Sequence, residues 1–199
     1  MSFARVAGII RSMASTRWRI GISVTLPTWG RRPGGKMPDN SALVDAILEG
    51  WHKCLKEPYG DGDFTPEDGV TDCNRFTNCV AEKMGCTDLK GLVANQIFAF
   101  LSNDAPGWSK VTGFAAAEYA NQGCLVVAAW RNPNPKASGH VAVVRPGRPV
   151  TSTKWKHATP GVPMVANVGP ADRCRLDRGA NWAFGEEPSY FVWKRAGAA

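Results

Sequence analysis

The first 38 residues contain no aspartate and no glutamate. Arg5, Arg11, Arg17, Arg19, Arg31, Arg32 and Lys36 stand there unopposed and account for the whole formal charge of +7. From Asp39 onward acids and bases balance, so the body is neutral. A nucleic-acid role would rest on this arm alone, and no nucleic-acid-binding motif accompanies it. The chain also lacks any apolar run near the roughly 20 residues of a membrane span, so no transmembrane segment is expected. It has no repeat of fixed period and no low-complexity tract, which excludes solenoids and biased linkers. Histidine is scarce: His52, His140 and His157 are far apart. With no paired-histidine helix motif and no CxxC, zinc has no ligand set, and neither metal nor cofactor is expected.

What is present suits one domain. The 199 residues are 44% hydrophobic, enough to bury a full core. Twenty-one Gly, 14 Pro and 8 Trp fit a loop-rich α+β protein better than a helical bundle. The natural division is a basic arm, 1–38, and a domain, 39–199. The arm reads either as an adhesive for anionic polymers or as a solvated leader with later starts at Met13 or Met37. It is a poor secretory signal, because "IGISVTL" is short, follows Arg17 and Arg19, and lacks a small-residue cleavage site. Synthesis in the cytoplasm without a clear signal peptide, with export by another route, is the expectation.

Apolar residues Val44, Ile47, Leu48, Trp51 and Leu55 recur at helical spacing, which predicts a helix over about 41–55 that ends before Pro58. A Gly-, Pro- and Asp-rich loop covers 58–71, and a second helix starts at Cys73 and stops at Gly85. "LKGLVANQIFAFLSND" and "GFAAAEYANQG" predict a third and a fourth helix, the latter closed by Gly123. Strands are expected in "CLVVAAW", "HVAVVRPG", "VPMVANVG" and "SYFVWK". Helices first and strands after imply an α+β fold, with helices packed on an antiparallel sheet.

A cysteine attacks as the thiolate, and at a free pKa near 8.5 only about 3% is ionised at pH 7. A helix N-terminus and a neighbouring imidazolium both favour the charged form. Of Cys54, Cys73, Cys79, Cys86, Cys124 and Cys174, only Cys73 sits where a loop turns into a helix. The amides of that first turn could also donate to an oxyanion. Cys79 and Cys124 read as core, and the other three as free or paired. The partner should be a histidine. His140 opens a strand after a Ser-Gly turn, with Gly139 allowing close approach, whereas His52 and His157 read as surface residues. A third group should hold the imidazole's tautomer. Asn167, polar inside an apolar strand, is the first candidate, with Asp172, Asn132 and Asn134 as rivals.

"PYGDG…GVTDCNRF", the later "SGHVAVV" and a polar residue on a following strand resemble the NlpC-like and CHAP-type papain-fold cell-wall hydrolases. The likeness spans roughly Tyr59 to Lys194 and is nearest to secreted amidase effectors and phage lysins. Asn74 stands where the NlpC-like pattern has Ser. The resemblance implies Cys73 as nucleophile, His140 as general base and acid, and Asn167 as orienting residue. It implies Tyr59, Asp72, Asn74 and Ser138 as substrate-binding or supporting residues. The reaction would be hydrolysis of an amide bond in the peptide stems or cross-bridges of peptidoglycan, in the periplasm or extracellular wall. The partner is then the peptidoglycan peptide and, for a toxin, an immunity or inhibitor protein.

Two other functions fit the same residues. A papain-fold acyltransferase or deamidase would keep the Cys–His pair on another acyl substrate. A non-catalytic wall-binding module would instead use Trp108, Trp130, Trp155 and Trp182, which fall in or beside loops where rings stack on sugars.

Overall fold

A computed structural model describes residues 39–54, 72–169 and 175–194. The basic arm, the 58–71 loop with Tyr59, and Asp172 and Cys174 lie outside the described residues. The chain is α+β, built on an antiparallel sheet with helices packed against it.

Helix α1 spans Ser41–Cys54, within the expected bounds. It buries Leu43, Ala46 and Ile47 against α2, Cys73–Lys83, whose own inner face is Phe76, Val80 and Ala81. The third helix is shorter than its pattern suggested: α3 covers Ala94–Ser102 only. Gly91 takes φ 76°, a left-handed conformation that ends the preceding turn, and Gln96 Oε1 accepts from Val93 N at 3.1 Å to open the helix. The fourth, α4, covers Gly113–Asn121, with the Thr112 hydroxyl accepting from Ala115 N at 3.3 Å. Gly123 follows it at φ 83°, the left-handed position that ends many helices.

Six strands form the main sheet: β1 Trp108–Val111, β2 Val126–Trp130, β3 His140–Val144, β6 Met164–Asn167, β7 Arg175–Gly179 and β8 Ser189–Trp193. Their order is β1-β8-β2-β3-β6-β7, with every pair antiparallel. Two further strands, β4 Val150–Ser152 and β5 His157–Val162, form a separate hairpin, and a short helix α5, Ala180–Ala183, precedes β8. The sequence reading differs here in two ways. Helices do not all precede strands, since β1 comes before α4. "VPMVANVG" is not one strand: it divides at Pro163, so Val162 ends β5 in the hairpin while Met164 begins β6 in the sheet. Proline has no N–H to give a ladder, which makes it a natural point for the chain to change sheets.

Central strands β2 and β3 are wholly buried from Val126 to Ala129 and from Val141 to Val144. Burial on both sides requires cover on both sides. Phe191 on β8 meets Phe98 of α3 edge to face at 6.5 Å, while its neighbour Tyr190 faces the start of α4 at Gly113. Successive strand residues point to opposite faces, so α3 and α4 lie over opposite sides of the sheet. Among the described residues no helix is long and apolar enough to cross a membrane.

Candidate active site

The helical start at Cys73 is set by what surrounds it. Asp72 occupies the N-cap position, and its carbonyl accepts the first ladder bond from Phe76 N at 3.0 Å. Its carboxylate makes no capping bond and pairs instead with Arg75 at 3.4 Å. Phe76 and Val80 anchor the helix in the core, and the Thr77 hydroxyl donates to the Cys73 carbonyl at 2.9 Å. Cys73 is thereby held at the first position of α2, only 1% exposed. First-turn amides of a helix point outward from its N-terminal end, where they favour negative charge.

His140 is the first residue of β3, paired across the strand with Trp130 at the end of β2. Asn167 is the last residue of β6. The register Val143↔Ala166 and Val144↔Val165, continued along the strands, puts Asn167 on the same face as His140. The side chains meet: His140 Nε2 and Asn167 Oδ1 are 2.6 Å apart. A second hydrogen bond joins the imidazole to Cys73. With Nε2 engaged by Asn167, Nδ1 is the nitrogen left for the sulfur. Asn167 is 2% exposed, and its company of buried polar side chains among the described residues is Thr77 and Ser152. A buried amide needs partners, and this one uses the imidazole.

Burial works to lower the pKa of His140, because it penalises the cation. The Cys73 hydrogen bond, the attraction of a charged Cys73 sulfur and the Asn167 bond outweigh it together, so the net shift is upward. Phe184 covers the ring on another side, with centroids 4.9 Å apart. Burial acts on three further cysteines. Burial pushes Cys79 and Cys124 up, and it pushes Cys86 up to about 11. They stay thiols at neutral pH, and Cys73, Cys79, Cys86 and Cys124 are not in disulfides.

Several candidate residues have other work. Asn74 Nδ2 donates to Leu92 O at 3.4 Å, tying α2 to the turn before α3. Ser138 is exposed, and its carbonyl accepts from Asn132 Nδ2 at 3.2 Å. Asn132 and Asn134, rivals for the third role, spend their oxygens on backbone amides within the 131–139 loop: Asn132 Oδ1 accepts from Asn134 N at 2.9 Å and Asn134 Oδ1 from Lys136 N at 3.0 Å. His52 is exposed on α1. Trp108 is core, its indole donating to Asp88 at 3.1 Å, while Trp182 is 40% exposed. Among the described residues no group of three His, Cys, Asp or Glu could hold a metal ion.

Sequence reasoning missed Phe184 and Asn95. Phe184 carries no local signal, following a four-residue helix beside the exposed Trp182. Asn95 sits in the first turn of α3 and grips the loop before His140: Nδ2 donates to Ala137 O at 2.9 Å and Oδ1 accepts from Asn132 N at 3.2 Å. A cavity of about 520 Å³ lies elsewhere, at the start of α4 beside Phe114 and Tyr190, and contains none of Cys73, His140 or Asn167.

No family model matches the chain, and no curated protein matches it.

Proposed function

We propose that the chain is a papain-like cysteine hydrolase that cuts an amide bond in the peptide part of peptidoglycan. One observation carries the reading. Three side chains from three separated elements converge as thiol, imidazole and amide, with the imidazole bonded to both of its neighbours. The helices-on-antiparallel-sheet frame and the motif order fit the NlpC-like and CHAP-type resemblance, which supplies the substrate class.

The chemistry follows from the charges. An attraction that favours the imidazolium favours its thiolate partner equally, because the coupling belongs to the pair. The Cys73 sulfur attacks the amide carbonyl carbon, and the first-turn amides of α2 stabilise the oxyanion. The C–N bond then breaks as the His140 imidazolium gives its proton to the leaving amine, leaving a thioester and a neutral imidazole. Water attacks the thioester while His140 takes its proton. The released carboxylic acid departs and the thiolate–imidazolium pair is restored. Throughout, Asn167 accepts from the Nε2–H and keeps Nδ1 turned to the sulfur.

The test is mass analysis of fragments released from purified sacculi. Wild-type protein should release peptide fragments with a new amine and a new carboxylate, and Cys73→Ala and His140→Ala should release none while keeping the native circular dichroism. Undiminished release by Cys73→Ala would reject the assignment.

A further inference from the structure

We infer that Asn95 is a positioning residue for His140, acting through the 131–139 loop; this rests on the thiol–imidazole site proposed above. The loop leaves β2 at Trp130 and delivers the chain to His140. Asn95 reaches across from α3 and bonds both arms of it, one near each end: Asn132 N at 3.2 Å and Ala137 O at 2.9 Å. Every orientation of the amide other than this one would set like poles against each other, since the oxygen meets an N–H and the nitrogen meets a carbonyl.

Gly139 completes the clamp. A Cβ there would run into Asn95 Oδ1 and the Trp130 carbonyl, so only glycine lets the amide and the strand close on this point. The loop's own bonds make it a stiff unit. Asn132 Nδ2 holds Ser138 O, and Ala137 N donates to Asn134 O at 3.0 Å. A rigid loop fixed to α3 at two points transmits its position to the next residues, Gly139 and His140. The imidazole must meet Cys73 from α2 and Asn167 from β6 at once, so a small shift of the β3 start breaks one of the two bonds.

The measurement is the iodoacetamide alkylation rate of Cys73 at pH 6.5 divided by its limiting rate at high pH, read by peptide mass spectrometry. At high pH the sulfur is ionised without help, so the ratio cancels accessibility and reports the imidazole's contribution alone. Asn95→Ala, assayed well below its melting temperature, should lower the ratio about fivefold or more, the difference between a charge-assisted and a neutral hydrogen bond, and leave the high-pH rate unchanged. A purely structural role would lower the melting temperature and leave the ratio at the wild-type value, and that result overturns the inference. A fall at all pH values alike also overturns it. Should the alanine variant not fold, Asn95→Asp keeps the acceptor for Asn132 N but sets an oxygen against the Ala137 carbonyl, and should lower the ratio as well; an unchanged ratio counts against the inference. His140→Ala separates the two layers. If it leaves the ratio unchanged, the active-site reading itself fails. If it lowers the ratio and the Asn95 variants do not, only the positioning role fails.

Discussion

Asn167→Ala isolates the contribution of one hydrogen bond to the charge state of the site. The wild-type contact is short, 2.6 Å, and Asn167 is 2% exposed, so water does not replace the lost oxygen freely. Asn167 Oδ1 accepts from Nε2 whether the ring is neutral or cationic, so what matters is the difference between those two bonds. A neutral hydrogen bond contributes a net ~0.5–1.5 kcal/mol and one to a charged group ~1.5–3 kcal/mol. The difference, about 1–1.5 kcal/mol, converts at about 1.4 kcal/mol per decade to a factor of about five to twelve. The ratio of thiolate–imidazolium to thiol–imidazole should fall by that factor.

Both states hold the same number of protons, so the ratio is independent of pH and can be taken from thiolate absorbance near neutrality together with the alkylation rate. Burial holds Cys79, Cys86 and Cys124 as thiols, and Cys54→Ser with Cys174→Ser removes the other two from the background. A change smaller than about twofold would refute the reasoning, because the charge-assisted bond would then be adding nothing to the pair. A collapse as complete as in His140→Ala would also refute it, by showing that Asn167 holds the ring in place rather than tuning its charge.

Cys73→Ala removes two of the influences that raise His140 while burial, the largest influence and a lowering one, remains. The imidazole should therefore titrate lower in the variant than in the wild type when followed by NMR, and an equal or higher value would contradict the Cys73–His140 contact. Because the folded value is raised above 6.5, His140 contributes stability that is fully present below pH 6.5 and is lost as pH rises through the folded value. Thermal melts across that window should show a smaller decline for Asn167→Ala, which lacks one of the raising contacts. Gly123→Ala would place a Cβ 2.5 Å from the Asp39 carbonyl at φ 83°, beside the 3.3 Å hydrogen bond from Asn40 Nδ2 to Asn121 O. Left-handed backbone alone costs a non-glycine residue about 1–2 kcal/mol, so chemical denaturation should show at least that loss.

Legibility in the sequence followed the range of the interactions. Helix α2 was readable because its cause is local: a glycine- and aspartate-rich loop, then Phe76 and Val80 at helical spacing, then Gly85. The core strands were readable from "VVAAW" and "HVAVV", since β-branched and small residues buried on both faces leave a plain apolar run. Strand β1, "WSKV", and strand β7, "RLDRG", leave no such run because they are the two edges of the sheet among the described residues, where one side lacks a neighbour and polar residues are tolerated. The order in which strands meet was not readable at all. Strand β8 comes last in the chain and inserts between β1 and β2, a choice made by the packing of Phe191 against Phe98 and of Tyr190 against Gly113, residues distant in sequence.

The site divides along the same line. Cys73 and His140 each stand at the terminus of an element, and a terminus is visible from local pattern; Asn167 stood out as a polar residue in an apolar strand. Asn132 and Asn134 were equally plausible on residue type, and only the loop's geometry shows both committed to neighbouring amides. Asn95 gave no sign, because an asparagine in the first turn of a helix is ordinary in sequence and acquires its role only when the β2–β3 loop arrives beside it. A glycine just before a strand histidine does carry a trace of this. In the sequence Gly139 suggests room for the histidine's approach to a helix end, and the room it makes is for the first turn of α3, not α2. Where a residue must be small, something large is close by. The sequence shows the smallness, and the fold alone identifies the neighbour.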